Sequence, residues 1–495
     1  MISSLILKGS FWTLLLQWSN KTLGLISTII LARLLTPDDY GVVAISMILI
    51  HFAINITSAG TGQYLIRLKN LENADIQTGF TLMLAFRAVI SLSIYYYSAA
   101  LASFFDDQRL VAVFEIVALI PLIDAFKNIA VFLEERALRY KKIFLIGFFR
   151  KVLSFAVAIV LAFQSYGYMA LIYAELVGVI FYVFLTFVAL PFDLKHYKLS
   201  VSRFSHQFAF SGWSFLQSLV GFSKAKIDSI LIGRYLDASD LGVYQLTSTL
   251  ASLPSEQLVA PVSRPLYSGL SKYSSGATEQ LSLFYKSLTM VSFVVCFFSF
   301  LLSAIAFELV SILLGDRWLA VVPLVSLIAA SYAVASTTTI TSKLMIAQAK
   351  MRQLFLSDIL CLVLITVCLA LALIDGDLAR LSEVRVMSSF LIVFVSLLFV
   401  AFFCGVDIAR ALRCIFPSLI VSTLAYLATN ALLENYDGQM VIISLMLKSI
   451  IFSGVFLVFI SIWSMVNKFE NDEHTCLSML YEKSFKKILR GSDAR

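Results

Sequence analysis

The sequence predicts an all-α, polytopic membrane protein of about 14 transmembrane helices, built as two parallel-repeat six-helix lobes plus two C-terminal helices. Three observations carry this. Of 495 residues, 60% are hydrophobic and 14% charged, far from the soluble norm. Apolar segments of about 20 residues, enough to cross a ~30 Å hydrocarbon core, recur along the whole chain. The stretch Ser10–Val42 also returns without a gap 201 residues later as Ser211–Val243, with ten of 33 positions identical. Shared hydrophobicity would not align an arginine, an aspartate and a glycine in one register, so the match marks an internal duplication.

The expected spans are 10–34, 41–65, 79–104, 110–133, 143–165, 168–190, 207–233, 241–262, 281–314, 318–344, 355–374, 384–403, 414–433 and 440–467. The first is too long for a signal-peptide core and lacks a small-residue cleavage site, so it is expected to stay in the membrane. Between the first two lies Arg33-Leu34-Leu35-Thr36-Pro37-Asp38-Asp39-Tyr40-Gly41-Val42, matched by Arg234–Val243 between the seventh and eighth. In this loop Arg33 and Arg234 complement the dipole of the helix they end. Pro37 disfavours helix at Thr36. Asp39 and Asp240 are expected to cap the next helix, and Gly41 and Gly242 to supply positive φ at its boundary. A hairpin turn and a gating role are both open for these six residues.

The fourth and fifth spans are joined by Arg139-Tyr140-Lys141-Lys142-Ile143-Phe144, echoed 211 residues on by Lys350-Met351-Arg352-Gln353-Leu354-Phe355. Six helices separate the main repeat copies, an even number, so both copies share one orientation. The lobes are then 1–190 and 207–403, joined by a polar, basic linker at 191–206, with two further helices in 404–467 and a tail at 468–495. The span 281–314 is long enough to tilt or to leave the membrane.

Lys and Arg set the orientation. With the N-terminus in the cytoplasm, the inner segments hold 23 of them and the outer loops six: Arg33, Arg109, Arg234, Arg317, Arg380 and Arg385. Both termini are expected inside, in a bacterial cytoplasmic membrane. The net charge of +7 is therefore a topology signal, with no aromatic-and-basic face for nucleic acid. The basic tail fits a solvated stop-transfer segment or a headgroup contact. No cysteine among the six falls in an outer loop, so no disulfide framework is expected. The four histidines lack metal-ligand spacing, and no phosphate-binding or hydrolase motif is present. No catalytic residue, metal or cofactor is expected; H+ or Na+ is left open as a coupling ion.

Ionisable residues inside the spans carry the functional signal, since each costs roughly 2.5–3.5 kcal/mol there unless hydrated or paired. They are Lys21, Arg87, Asp124, Lys127, Arg150, Lys151, Glu175, Lys224, Lys226, Asp228, Glu256, Glu308 and Lys448. Asp124 and Lys127 are spaced to neutralise each other, as are Lys224 and Asp228; Lys226 lies 200° round from Lys224. In one reading Lys21, Arg87, Lys127, Lys224 and Asp228 belong to a polar cavity that attracts an anion such as a diphosphate. In the other these side chains pair between helices or snorkel, the better expectation for Arg150 and Lys151. The aromatic clusters Tyr95-Tyr96-Tyr97 and Tyr166-Gly167-Tyr168 suit an interfacial belt.

Several segments resemble one family. Lys8-Gly9-Ser10-Phe11-Trp12 with Ala32–Gly41, and Asp228-Ser229-Ile230-Leu231-Ile232-Gly233-Arg234 with Leu241-Gly242-Val243-Tyr244 and Pro254, are similar to polysaccharide exporters of the Wzx type. So are Arg264–Lys272 and Leu314-Gly315-Asp316-Arg317-Trp318. The resemblance covers about 1–415 and is nearest the colanic-acid-exporter branch of the multidrug/oligosaccharidyl-lipid/polysaccharide superfamily. It implies two six-helix lobes, alternating access, and flipping of undecaprenyl-diphosphate-linked oligosaccharides, with a polymerase and chain-length regulator of the same pathway as potential partners. An ion-coupled drug or cation antiporter and a polytopic polymerase or glycosyltransferase are the alternatives. The first would want an acidic cavity and the second a large outer loop.

Overall fold

A computed structural model describes residues 2–68, 71–272, 277–375, 377–433 and 441–466; the predicted tail at 468–495 lies outside them. Every long element is a helix, with no strand among the described residues. The chain divides into two compact units, Met1–Gln245 and Leu246–Arg495.

Unit 1 begins with α1 (Ile2–Leu34), α2 (Pro37–Arg67), α3 (Asn73–Tyr96) and α4 (Ser98–Phe104). It continues with α5 (Arg109–Ala125), α6 (Ala130–Arg136), α7 (Tyr140–Phe163) and α8 (Met169–Ala189). It closes with α9 (Phe204–Tyr235) and the first half of α10 (Ala238–Ala251). α5 is its centre: Leu110, Val113, Phe114, Val117 and Ile120 are wholly buried, and α5 packs on α2, α3 and α8. α9 lies along α2, and α1 along α7.

Unit 2 holds α11 (Leu253–Lys272), α12 (Ala277–Ala304), α13 (Ala306–Leu313), α14 (Val321–Ala335) and α15 (Thr337–Ala347). α16 (Met351–Ala372), α17 (Leu378–Cys404), α18 (Ile408–Leu433) and α19 (Val441–Val466) follow. Its core forms round α12, where Phe284, Tyr285, Leu288 and Val295 meet Val334, Leu344, Leu397 and Cys414.

Among the described residues, ten stretches, α14–α15 counting as one, are long and apolar enough to cross a membrane, and the bent pair α5–α6 makes an eleventh. The other three expected spans, α1, α9 and α10–α11, are helical too and carry polar residues such as Lys21, Lys224, Lys226, Asp228 and Glu256. Five expected spans are divided between two helices, the third at Tyr97, the eighth at Ser252 and the tenth at Ser336 among them. The fourth breaks after Ala125 and bends by 59° before α6, and the ninth breaks at Ile305, between α12 and α13.

The 211-residue echo reaches down to single backbone hydrogen bonds. α6 ends with Ala137 N–H donating to Leu133 O, Leu138 to Glu135 O and Arg139 to Glu134 O, at 3.0, 3.0 and 2.9 Å. α15 ends with Gln348 to Leu344 O, Ala349 to Ile346 O and Lys350 to Met345 O, at 3.0, 3.0 and 2.8 Å. Leu138 and Ala349 both adopt positive φ, 58° and 57°, a conformation that costs a side-chain-bearing residue about 1 kcal/mol or more. Both copies keep it because it closes the helix end on its own carbonyls.

In unit 2, α19 is fastened by a charge. Glu308 on α13, 2% exposed, accepts from Lys448 Nζ and Ser444 Oγ, both at 2.7 Å. Removing one partner of such a pair strands a buried ion, at about 3–5 kcal/mol. Lys448→Met is therefore expected to lower the melting temperature of the solubilised protein sharply, and Glu308→Met in the same chain to restore most of it. Equal melting of wild type and Lys448→Met would show that the pair does not hold α19.

Candidate functional site

The break between α5 and α6 is a polar junction inside unit 1. Four residues, Phe126 to Ile129, leave the helix, and their amides must find partners in a place without water. Asn128 N–H donates to Thr186 Oγ1 of α8 at 3.0 Å, and Ile129 N–H to the Tyr197 hydroxyl at 3.2 Å. The Asn128 amide donates to Thr186 O at 3.2 Å, while its oxygen accepts from Ala130 N–H at 3.0 Å. A satisfied break therefore fixes the position of Lys127.

Three charges meet at this break. Arg87 on α3 is wholly buried and its Nη1 donates to Asp124 Oδ2. Lys127 Nζ donates to the same oxygen at 3.1 Å and lies 5.5 Å from the centre of the Phe132 ring. The local Asp124–Lys127 pairing read from spacing is present, and Arg87 joins it from another helix. Two cations share one carboxylate. None of the three is more than 8% exposed.

A second pair lies between α7 and α8. Arg150 does not snorkel to the inner surface, as its sequence position suggested; its Nη2 donates to Glu175 Oε1, and its guanidinium stands 5.6 Å over the Tyr182 ring. The partner sits 25 residues away on the next helix, and helical spacing gives no sign of it.

On α9, Asp228 is buried and accepts from the Tyr244 hydroxyl at 2.5 Å and from Ser229 N–H at 2.9 Å. Lys21 and Lys224 are half-buried on α1 and α9.

The repeated loops cap their helices in the same way, though the residues change roles. Thr36, not Asp39, is the N-cap of α2: its hydroxyl accepts from Asp39 N–H at 3.2 Å, and Asp39 accepts from Thr36 N–H at 2.9 Å. The sequence forms a capping box, because the first residue outside the helix is the one with extended backbone. In the second copy Asp237 takes the place of Thr36 and accepts from Asp240 N–H at 2.8 Å. Asp39 has a further task, accepting from Tyr168 N–H at 2.9 Å. Arg33 ends α1, and Arg234 on the last turn of α9 lies 5.4 Å over the Phe104 ring.

Gly41 and Gly242 are not positive-φ residues; both sit inside helices. Their function is close approach. A Cβ on Gly41 would overlap the carbonyl oxygen of Ala238, and one on Gly242 would overlap that of Pro37. Ala238 is the repeat mate of Pro37, so each glycine receives the first-turn carbonyl of the other hairpin. Beside this crossing, Arg109 binds Asp38 through Nη1 and Nη2, the latter at 3.0 Å, and Asp107 at 2.7 Å. Burial alone would raise the Asp107 carboxyl, but hydrogen bonds and charge from Arg109 outweigh it and hold it below the usual carboxylate range.

Membrane-length helices, charges that pair inside them and a duplicated hairpin that packs on itself define a multi-pass membrane protein. The fold agrees: the chain aligns with the lipid II flippase MurJ in an inward closed conformation at a TM-score of 0.72 and 13% identity, covering 93% of this chain and 99% of that one. A multidrug resistance MATE family transporter of the MOP superfamily aligns at 0.62 and 13% identity, over 78% of this chain and 94% of that one. The chain belongs to the polysaccharide biosynthesis protein family, whose model matches residues 30–323. Among its relatives are the succinoglycan biosynthesis transport protein ExoT of Rhizobium meliloti, 22% identical over 65% of each chain. The lipopolysaccharide biosynthesis protein WzxC of Escherichia coli is 22% identical over 65% of this chain and 66% of its own. The chain thus spans about two thirds of the length of these relatives.

Two outcomes test the site. Asp124→Asn removes the only carboxylate oxygen that Arg87 and Lys127 are seen to share, and is expected to cost about 3–5 kcal/mol; Arg87→Leu with Asp124→Leu should recover part of it, as read by thermal melting. Alanine at Gly41 or Gly242 should drive the hairpins apart, lengthening the distance between spin labels on Arg33→Cys and Tyr235→Cys. An unchanged distance distribution would show that the crossing does not depend on glycine.

Proposed function

We propose that this protein is a non-enzymatic flippase that moves polyprenyl-diphosphate-linked oligosaccharides across the bacterial cytoplasmic membrane by alternating access, with both termini in the cytoplasm. Its family membership supplies the pathway. The observation that carries the reading is the charge inside unit 1: Arg87 and Lys127 share Asp124, and Arg150 pairs with Glu175 on the next helix. A basic interior attracts a diphosphate while sugars cross in water and the polyprenyl tail stays in lipid. A cation antiporter would require the opposite balance. The driving force on this reading is an H+ or Na+ gradient or the membrane potential, and a polymerase and chain-length regulator of the same pathway would receive the product.

A strain unable to export its polysaccharide because its own flippase is deleted provides the test. The wild-type chain is expected to restore surface polysaccharide, detected by glycan blot. Lys21→Ala and Lys224→Ala should each reduce that signal about tenfold at unchanged protein levels in the membrane. No restoration by the wild-type chain, in a strain making the matching glycan, would overturn the reading.

A further inference from the structure

The strap that leaves α8 is tied down along its length. The Asn128 amide donates to Pro191 O at 3.2 Å, and Gln77 Nε2 of α3 donates to Lys195 O at 2.9 Å. Tyr197 ends a 3-10 turn over Leu194–Tyr197; its hydroxyl donates to Asn128 Oδ1 at 3.1 Å and accepts from Ile129 N–H at 3.2 Å. Its ring sits among Phe80, Phe187 and Phe192, with centroids 5.0, 6.1 and 5.2 Å away. Further on, Ser200 N–H donates to Thr81 Oγ1 at 2.9 Å and Arg203 N–H to Thr78 Oγ1 at 3.3 Å. The Arg203 guanidinium also pairs with Glu72 at 2.5 Å.

Tyr197, Ser200 and Arg203, at every third position, are thus bonded to the helices of unit 1, and the residues between them face away. Leu194, Leu199 and Val201 are 73%, 71% and 65% exposed. Lys195 and Lys198 are exposed too, and neither makes an ion pair among the described residues. Aliphatic side chains held open in this way need a cover. The position of the strap indicates which. The membrane-length helix α8 ends at Ala189, so the strap begins at the bilayer surface. Acyl carbons and charged headgroups meet at that level, and aliphatic and ammonium groups alternate along the strap. Its one acid, Asp193, is occupied by Lys195 N–H at 2.9 Å, so the complementary headgroup is anionic.

We propose that residues 194–202 form a membrane-surface site for anionic phospholipids. Leu194, Leu199 and Val201 enter the acyl boundary, and Lys195 and Lys198 bind the headgroup phosphate. The site rests on the flippase reading only for its leaflet, which that reading makes the cytoplasmic one. Because Tyr197 also holds the break at Asn128, a strap seated on lipid fastens the α5–α6 junction to the membrane surface.

The test uses the purified full-length chain in phosphatidylcholine vesicles, with bimane on Ser202→Cys quenched by spin-labelled lipids and the unsubstituted chain as blank. Each lysine at the surface is expected to favour an anionic lipid about fivefold, so phosphatidylglycerol should quench at about thirtyfold lower mole fraction than phosphatidylcholine. Lys195→Gln with Lys198→Gln should bring the two curves together at an unchanged melting temperature, because no ion pair is lost. Leu199→Ser with Val201→Ser should weaken quenching by both lipids. Equal quenching by the two lipids in the chain with its lysines intact, or quenching by neither, overturns the assignment, as does an undiminished preference in the double lysine variant. Export by the wild type is read separately: a lipid preference with no export leaves the site and removes the flippase reading. Labelling of Ser202→Cys by a membrane-impermeant maleimide added to intact cells would place the strap in the outer leaflet, which removes the orientation in that reading and leaves the lipid site.

Discussion

A charge taken from water into hydrocarbon must bring a counter-charge or keep water beside it, and the interior of unit 1 is organised by that requirement. Asp124 answers for two cations, one from its own break and one from α3. Glu175 answers for Arg150, and Tyr244 and the Ser229 amide satisfy Asp228. A buried pair contributes little net stability and a stranded ion costs much, so the pairs act chiefly as constraints on which helices meet. The broken helix obeys the same rule for neutral dipoles: Asn128, Thr186 and Tyr197 supply what the missing turn cannot.

The fold was largely legible in the sequence because its signals are local and repeated. Apolar length gave the spans, and the ungapped match gave the duplication. The weaker echo at Arg139 and Lys350 marks the same helix end twice, down to a positive φ at Leu138 and Ala349. The break after Ala125 was hidden, since Phe126–Ile129 includes two apolar residues and Lys127 already had a local partner at three residues' spacing.

The candidate site was less legible because its contacts join residues far apart in the chain. Arg87 reaches Asp124 over 37 positions and Arg150 reaches Glu175 over 25; no helical spacing announces either. On α9, Asp228 accepts from Tyr244, 16 residues on, a partner that no helical spacing announces. In the duplicate register, Asp124 and Lys127 correspond to Ala335 and Thr338. There the α14–α15 junction is built of Ser336, Thr337 and Thr338, whose hydroxyls bond to their own helix at 2.7–2.8 Å. The duplicated position thus differs in backbone and in chemistry, a bent and charged junction in one copy and a neutral, nearly continuous one in the other.

Reciprocity at the hairpin crossing has an evolutionary corollary. Gly41 owes its smallness to Ala238, and Gly242 owes its own to Pro37, so neither helix sets the requirement for its own glycine. After the ancestral gene doubled, a side chain gained in one copy would have met the backbone of the other. The two halves could diverge freely along their helices, but at this point they remained heritably bound to each other. A substitution here is therefore epistatic across 201 positions of sequence.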